Sequence, residues 1–362
     1  MGKPSHSQIS KLLSREPGLR GRQIAKKLGL DKTEVNRFLG QHPEQFEKDS
    51  DARWRNLVAS VVVTLPGKWL RSSDFERALC SAGNGKASPG SALTVQVGAG
   101  CKFLIDCIAR LLAHANQAAA AGVHVTLDFT EETDTLGYLD RVGFFKSLRQ
   151  EVEVSPQRPR TSAAELYAGQ SDNLVEFRQV ADPIHNPALV DELVGKFVRL
   201  SNEQYQGAVA SLFTELVQNV TDHAESPTGG SAGLQKYGGR RPHIRTVVSD
   251  SGLGIAKTLW PVLPRHYPDL FEDLGAASED SDIKLVSRAF IDGGISRFGE
   301  EGGAGLKNSY RNTQTLRAKF EVRQDTFALE FAYQNGALVR TREQRALWPL
   351  LGTHICFDFS LE

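Results

Sequence analysis

The sequence predicts a multi-domain α/β (α+β) protein, and three observations support this fold class. At 362 residues the chain is too long for one ordinary hydrophobic core. Its hydrophobic share of 40% and charged share of 24% are those of globular domains. Beyond residue 57, short β-rich runs alternate with helical stretches, which is typical of layered strands and helices. We therefore expect three modules: residues 1–56, 57–175 and 176–362.

Composition also limits the classes of partner and compartment. The formal net charge is zero, so no overall field attracts nucleic acid or membrane, and either would need a local patch. The cysteines form no CxxC pair and have no zinc spacing, which predicts a reduced, intracellular protein. The amino-terminal stretch has no apolar signal region, and no run approaches the ~20 apolar residues of a membrane span. We expect a cytoplasmic protein that does not bind membranes.

Residues 1–56 predict a small basic helical module. They carry twelve Lys and Arg against seven Asp and Glu. Three short apolar stripes at helical spacing follow one another, with Pro17-Gly18 ending the first and Gly29 ending the second. Asp31 is expected to cap the third helix, with Glu34 placed to complete a capping box.

The third of these helices is expected to present a polar surface. Its buried face is predicted to contain Val35, Phe38 and Leu39, leaving Lys32, Asn36 and Arg37 outside. A polar turn between Phe46 and Trp54 then suits a β-wing.

This order of helices and wing resembles a winged helix-turn-helix, and Leu28–Arg37 with the later Trp54 resembles its Zα-type branch. In that family the residues matching Lys32, Asn36 and Trp54 contact the nucleic-acid backbone, whereas Gly40 stands where the family has a tyrosine. On physical grounds, a helix presenting Lys32 and Arg37 can neutralise phosphates. A winged helix that binds protein is the alternative.

The middle segment contains a strand, a loop and a helix in succession. His124–Phe129 predicts a buried strand, and Thr135–Leu148 predicts a helix that runs into a glycine turn. This arrangement resembles the STAS-like domains that accompany some bacterial ATP-binding regulators. In phosphorylated members the loop carries a Ser or Thr acceptor, and Thr133 and Thr135 lie nearby. A solvated helix cap is the alternative role for these threonines.

The strongest indication of function begins with a helix predicted over Val209–His223. Its apolar stripe leaves Glu215, Asn219 and Asp222/His223 along the adjacent edge. A carboxylate one turn before an amide suits a hydrolytic metal–phosphate site. The Asn oxygen is a neutral ligand for Mg²⁺, and the carboxylate can orient or deprotonate water.

Three further elements follow in order. A strand over His243–Ser249 runs into Asp250-Ser-Gly-Leu-Gly254, where the Asp carboxylate can accept a hydrogen bond from an exocyclic amine such as adenine N6. Gly252 and Gly254 allow close backbone approach and positive φ. Gly299–Leu306 is a glycine-rich turn at the start of a helical Lys307–Leu316, which would present backbone N–H groups to phosphates. Leu351-Gly-Thr353 enters a terminal strand, Ile355–Phe359.

These four elements, in this order, resemble the N-box, G1 box, G2 box and closing Gly-Thr of the GHKL (Bergerat-fold) ATPases, over about residues 195–362. The resemblance implies that Glu215 is the general base, that Asn219 ligates Mg²⁺, and that Asp250 binds adenine with support from Thr353 through water. It further implies that glycines shape the adenine pocket and hold the phosphates: Gly252, Gly254, Gly302, Gly303 and Gly305. A mobile lid is expected from roughly 256–301.

Among GHKL proteins, Glu215–Ala224 most resembles the N-box of anti-sigma-type kinases and of stand-alone ATP-binding regulators. No acceptor histidine of the sensor-kinase type precedes it. Because Glu362 follows the last strand directly, we expect any completing cation to come from a protein partner, a second protomer in a homodimer, or the upstream modules.

Taken together, these features predict a regulatory ATPase that uses ATP and Mg²⁺ and whose lid closure controls nucleic-acid or protein-partner binding. One alternative is an anti-sigma-type serine/threonine protein kinase, since phosphoryl transfer uses the same positioned metal and base. The other is a winged-helix nucleic-acid-binding regulator that holds ATP without turnover.

Overall fold

The computed structural model describes residues 4, 8–9, 12–13, 16–43, 45–56, 60–83, 89–180, 186–222, 229–296, 317–335 and 337–361. Over these residues the chain is a mixed α/β protein with several sheets, which confirms the predicted fold class. The helices are α1 Gly21–Leu28, α2 Lys32–Gln41, α3 Ser72–Ser81, α4 Ile105–Ala120, α5 Thr133–Arg141, α6 Phe144–Ser147, α7 Ala163–Leu166, α8 Asn186–Leu200, α9 Gln206–Asp222, α10 Ile255–Leu259, α11 Leu263–His266, α12 Pro268–Leu274 and α13 Glu279–Ile291. None of the described helices is both long and apolar enough to cross a membrane.

The strands form four sheets. They are β1 Leu19–Arg20, β2 Phe46–Lys48, β3 Arg53–Asn56, β4 Ser60–Leu65, β5 Trp69–Leu70, β6 Ala92–Val97, β7 Lys102–Phe103, β8 His124–Asp128, β9 Glu153–Ser155, β10 Leu174–Val180, β11 Gly230–Tyr237, β12 His243–Ser249, β13 Ala318–Asp325, β14 Phe327–Gln334, β15 Ala337–Gln344 and β16 Leu350–Ser360. Short 3₁₀ turns lie at Glu203–Tyr205 and Trp260–Val262.

The first module joins α1 and α2 to a three-stranded antiparallel sheet in the order β1-β3-β2. Asp31 caps α2 as predicted, with its Oδ1 accepting hydrogen bonds from the amides of Thr33 and Glu34 at 2.8 and 3.0 Å. The predicted capping box is wrong, because the Glu34 carboxylate instead lies 2.9 Å from the guanidinium of Arg37. These two side chains are neighbours on one helix face, so the ion pair competes with the bond back to the cap.

The second module is built on parallel pairing. The strands β4-β6-β8-β9 lie side by side in chain order and all run parallel, and β5 and β7 form a smaller parallel pair. Parallel neighbours need crossover connections, which α3, α4 and α5 supply. The strand predicted over His124–Phe129 is present as β8, and the single helix predicted over Thr135–Leu148 is wrong, because Gly143 divides it into α5 and α6.

The third module is a seven-stranded antiparallel sheet in the order β10-β11-β12-β16-β13-β14-β15. Helices α8 and α9 pack together, and apolar residues of α8, α9 and α13 share one core with this sheet. Residues of β12 alternate between its two sides: Ile244 and Val248 face this core, whereas Val247 faces the other side, toward α4.

Helix α4 joins the second and third modules. All of its residues from Ile105 to Asn116 are buried, because the helix lies between the parallel sheet and the far face of the antiparallel sheet. A single hydrophobic core therefore contains Leu127 of the second module together with Val247 and Cys356 of the third. The predicted boundary near residue 175 therefore divides the second and third modules along the sequence, but their hydrophobic cores are continuous.

Buried charges also cross this junction. Arg245 on β12 contacts Asp106 of α4 at 2.6 Å and Asp358 of β16 at 2.8 Å. Arg323 on β13 pairs with Glu76 of α3 at 2.7 Å. Removing one partner of such a pair leaves an uncompensated buried charge, so these contacts specify how the two modules fit.

Candidate functional site

Helix α9 has the amphipathic form that the sequence predicted. Its apolar stripe is buried, and Glu215 and Asn219 lie half-buried along the adjacent edge. The end of the helix is held by a contact that the sequence did not suggest: the Asn186 side chain donates a hydrogen bond of 2.7 Å to the Thr221 hydroxyl. Position 223, the last of the predicted helix, lies outside the described residues, so the His223 candidate is untested.

A buried carboxylate stands where β12 ends. Asp250 is only 5% exposed, and its Oδ1 accepts a hydrogen bond of 2.7 Å from the amide of Gly252. Asp250 lines a cavity together with Asn116 of α4, Gly230 of β11 and His354 of β16. No described residue of α9 lines that cavity.

The chemistry of Asp250 is set by its burial. Burial raises the pKa of this carboxyl to about 6, although hydrogen bonds from the amides of Gly252 and Thr353 act in the opposite direction. At neutral pH the group remains mainly ionised and can accept hydrogen bonds. Keeping a charge buried costs free energy, which is typical of a group retained for binding or catalysis.

Strand β16 passes directly against this carboxylate. The amide of Asp250 donates to the carbonyl of Thr353 at 2.9 Å. Gly352 has φ +91°, and a Cβ added there would lie 2.1 Å from the Asp250 carbonyl oxygen. Only glycine permits both this conformation and this approach, so the predicted convergence of the Asp250 turn with Gly352-Thr353 is present.

Gln324 is a member of this site that the sequence did not reveal. It is 2% exposed, and its Nε2 donates to the Thr353 hydroxyl at 3.0 Å. Its Oε1 accepts a hydrogen bond of 3.3 Å from the amide of Ala256 at the start of α10. A lone Gln in a strand carries no motif, so only the pairing of β13 with β16 identifies it.

The last turn of α9 reaches the strand end that carries Asp250. Both meet at Gly230 on β11: a Cβ added to Gly230 would lie 2.3 Å from Cγ1 of Val220 and 2.9 Å from the carbonyl oxygen of Ser249. Val220 follows Asn219 directly, and Ser249 precedes Asp250. The last turn of α9 and the strand end that carries Asp250 are therefore neighbours across Gly230.

The two glycines of the Asp250 turn, Gly252 and Gly254, differ in backbone conformation. Gly254 has φ +83° and a Cβ there would lie 3.2 Å from the Gly352 carbonyl oxygen, so the predicted need for glycine is confirmed. Gly252 is not among the glycines with positive φ, so that part of the prediction is wrong. Its amide instead closes a tight turn onto Asp250, which any residue with an N–H could do.

The predicted phosphate-binding turn lies outside the described residues, which include neither Gly302, Gly303 and Gly305 nor Lys307–Leu316. Of the stretch from which a lid is expected, 256–301, the structure describes residues 256–296. Helices α10 to α13 pack around their own apolar cluster, and the ring of Phe290 stacks on Phe331 with centroids 5.8 Å apart.

The nucleic-acid candidates of the first module are not equally accessible. Lys32, Asn36 and Arg37 are exposed on α2, as predicted. Trp54 is only 9% exposed, since it packs in the module's own core, with Lys48 Nζ 5.7 Å from its ring centroid. An indole packed in this core offers at most its rim to a ligand.

The two candidate phosphate acceptors, Thr133 and Thr135, differ in their exposure to solvent. Thr133 is exposed at the first turn of α5, whereas Thr135 is 4% exposed and its hydroxyl donates to the Cys101 carbonyl. The residue that caps α5 is Glu132, so neither threonine is the cap that the alternative hypothesis proposed.

Over the described part of the chain, no group of three or more His, Cys, Asp or Glu side chains could hold a metal ion. No protein-family model matches the chain, and the curated proteins contain no match to it.

Proposed function

We propose that residues 176–362 bind ATP·Mg²⁺ and hydrolyse the ATP, and that the chain is a regulatory ATPase of the GHKL type. The observation that carries this proposal is Asp250: a buried carboxylate at a strand end, enclosed by Gly352 and bonded to Thr353 through the backbone. A carboxylate in this setting suits recognition of the adenine amine, and Gly352 lets β16 lie directly against the Asp250 turn.

The roles of the other residues follow from their positions. Thr353, held by Gln324, would support adenine recognition through water. Asn219 would contribute a neutral oxygen to Mg²⁺, which when bound neutralises phosphate charge. Glu215, one turn earlier on α9, would orient and deprotonate the attacking water.

Regulation would be transmitted along β13, where Arg323 and Gln324 are consecutive residues. Gln324 touches the proposed adenine site, and Arg323 is fully buried against Glu76 of the second module. A change in the position of β13 on nucleotide binding would therefore change how the second module is held. Closure of the lid expected over about 256–301 would add to this effect.

The first module would supply a nucleic-acid contact in this scheme. Lys32, Asn36 and Arg37 are exposed along one helix, which favours binding to the phosphate backbone. Protein binding by the same surface is the competing outcome, and it would leave the ATP site unchanged.

Isothermal titration with a non-hydrolysable ATP analogue and a phosphate-release assay test the proposal together. Asp250→Ala and Asn219→Ala should abolish binding, whereas Glu215→Ala should bind normally and lose turnover. Asp172→Ala, which removes an exposed carboxylate, serves as the matched control. Normal analogue binding by Asp250→Ala would refute the assignment of the site.

Protein kinase activity is the second candidate, favoured by the exposure of Thr133. It would place phosphate on Thr133 or on a partner protein instead of releasing it. Incubation with labelled ATP followed by mass spectrometry distinguishes the two, because hydrolysis leaves the protein unmodified.

A further inference from the structure

A second surface with the chemistry of a binding site lies at the end of β12 opposite Asp250. The six steps from His243 to Ser249, at about 3.3 Å each, place it about 20 Å from that site. It combines residues of the small β5–β7 sheet with the hairpin that joins β11 to β12. We call it the Trp69 platform, formed by Trp69, Lys102, Tyr237, Arg240, Arg241 and His243.

Trp69 is the most unusual residue of the platform, because 55% of its surface is exposed to solvent. Its backbone pairs in register with that of Lys102 across the parallel β5–β7 contact, and the Lys102 Nζ lies 5.7 Å from the indole centroid. The ring of Tyr237 meets the indole edge-on, with centroids 6.3 Å apart. An exposed indole in this setting costs solvation free energy that a bound ring would recover.

Two of the aromatic side chains, Tyr237 and His243, are fixed by contacts with α4 and with each other. The Tyr237 hydroxyl accepts a hydrogen bond of 2.7 Å from the amide of Ile105 at the start of α4. The other side of the hairpin contributes His243, whose ring stacks on Tyr237 at 5.2 Å and 23°. Side chains fixed on strands in this way lose little conformational freedom when a ligand stacks on them.

The surrounding charge is positive and available. Arg240 and Arg241 are exposed at the hairpin tip, and Lys102 is exposed beside the indole. Over the described residues none of these three cations forms an ion pair, whereas the neighbouring Lys68 is paired with Asp74 at 2.8 Å and is therefore left out of the platform. Since the whole chain has zero formal charge, this is a local attraction for anions.

We propose that the Trp69 platform binds single-stranded nucleic acid, with one base stacked on Trp69 and the flanking phosphates on Lys102, Arg240 and Arg241. Aromatic faces accept any base, and basic side chains follow the backbone, which is the usual chemistry of single-strand binding. A duplex does not fit as well, because its bases are already stacked and cannot reach the indole. The proposal is independent of ATP binding and of the first module.

Fluorescence anisotropy on the full-length chain tests it, using a labelled oligothymidylate of about 20 nucleotides and a duplex of equal length at low salt. Trp69→Ala should weaken single-strand binding about tenfold, and Trp69→Phe should keep most of it, since a phenyl ring also stacks. Replacing both Arg240 and Arg241 by Ala should reduce the slope of log affinity against log salt by about 1.4.

Two controls separate this surface from others. Leu166→Ala removes a different exposed apolar side chain, 61% exposed, and should bind the single strand like the wild type. The double variant Lys32→Ala with Arg37→Ala should also retain single-strand binding. The proposal is overturned if Trp69→Ala binds as tightly as the wild type, if Trp69→Phe is as weak as Trp69→Ala, or if the wild type does not bind the oligothymidylate at low salt.

Discussion

The guanidinium of Arg323 and the carboxylate of Glu76 form a buried ion pair across 247 positions of sequence, with Nε 2.7 Å from Oε1. Arg323 is completely buried and Glu76 is 3% exposed. The guanidinium also donates to the carbonyls of Asp325 and Trp348, so its hydrogen bonds are shared between the two modules. This pair lies one residue along β13 from Gln324, which contacts the proposed nucleotide site.

Glu76→Gln should destabilise the protein by about 3–5 kcal/mol at pH 7.5, because it leaves Arg323 buried without its counter-charge. Burial acts to raise the pKa of Glu76, but hydrogen bonding to His114 and the charge of Arg323 outweigh it and hold the pKa well below its ordinary value. A lowered carboxyl pKa stabilises the fold above the unfolded value, about 4.5, and that contribution is lost as the pH falls below it.

Urea unfolding at several pH values measures this effect. The difference between wild type and Glu76→Gln should shrink between pH 5 and pH 3, within about two units below the unfolded pKa. Glu165→Gln is the control, since its carboxylate is exposed and pairs with the exposed Lys146. A difference in stability that does not change with pH would show that the effect is one of packing and not of charge.

Asp250→Asn should make the nucleotide-free protein more stable at pH 7.5, by up to about 3 kcal/mol. The folded protein raises the pKa of Asp250 from 3.8 to about 6, so ionising this group opposes folding. The protonated carboxyl of Asp250 therefore contributes its full stabilisation of the fold below the unfolded pKa of 3.8. That contribution is lost as the pH rises through the folded pKa of about 6. Asparagine does not ionise and avoids that loss.

Thermal unfolding of this variant should therefore show a higher Tm at pH 7.5 and almost no difference from wild type near pH 4. Asp172→Asn, at an exposed position, should show neither change. Combined with weaker binding of the ATP analogue, greater stability would indicate that the carboxylate is kept for ligand binding at the expense of the fold. Equal stability at pH 7.5 would contradict the raised pKa.

Gly352→Ala should weaken binding of the ATP analogue at least tenfold and lower the free energy of unfolding by about 2–4 kcal/mol. An added Cβ would approach the Asp250 carbonyl oxygen to 2.1 Å at a residue with φ +91°. The strand and the aspartate turn must then separate, which displaces both Thr353 and Asp250.

The matched control is Gly275→Ala. Gly275 also has a positive φ, +66°, but nothing lies within 4 Å of the added Cβ, so only backbone strain of about 1–3 kcal/mol is expected. Urea unfolding and calorimetric titration on both variants separate strain from crowding. Similar losses of binding in the two would argue against a specific contact at Asp250.

Lys32→Ala combined with Arg37→Ala should weaken duplex binding in a salt-dependent way. Removing two phosphate contacts reduces the slope of log affinity against log salt by up to about 1.8. Because Arg37 already pairs with Glu34, it neutralises less than one phosphate charge, and the reduction in slope should be smaller than this limit. Anisotropy titrations with a labelled duplex measure the slope, and Lys284→Ala, an exposed lysine on α13, is the control. Unchanged duplex affinity at low salt would remove the first module as a nucleic-acid contact.

Several parts of the fold follow from local pattern. Periodicity predicted α9, and strand patterns next to turn residues predicted β8 and β12, because burial imposes a repeat of 3.6 on helices and of 2 on strands. The candidate residues Asp250, Gly352 and Thr353 could be picked out because each occurs within a short run next to a strand end. Where prediction failed, as at Glu34 and Gly252, a neighbouring side chain or amide made a local contact that pattern alone does not specify.

The sequence by itself determined the element types, the α/β class and the positions of the Asp250 and Gly352 turns, since these depend on neighbours within one or two turns of chain. Only the tertiary structure decided that α4 is shared by two sheets, that Gln324 holds Thr353, and that Arg323 meets Glu76. Those contacts join residues 29 to 247 positions apart. Their partners are selected by strand order and by the need to pair buried charge, and neither leaves a periodic signal in the chain.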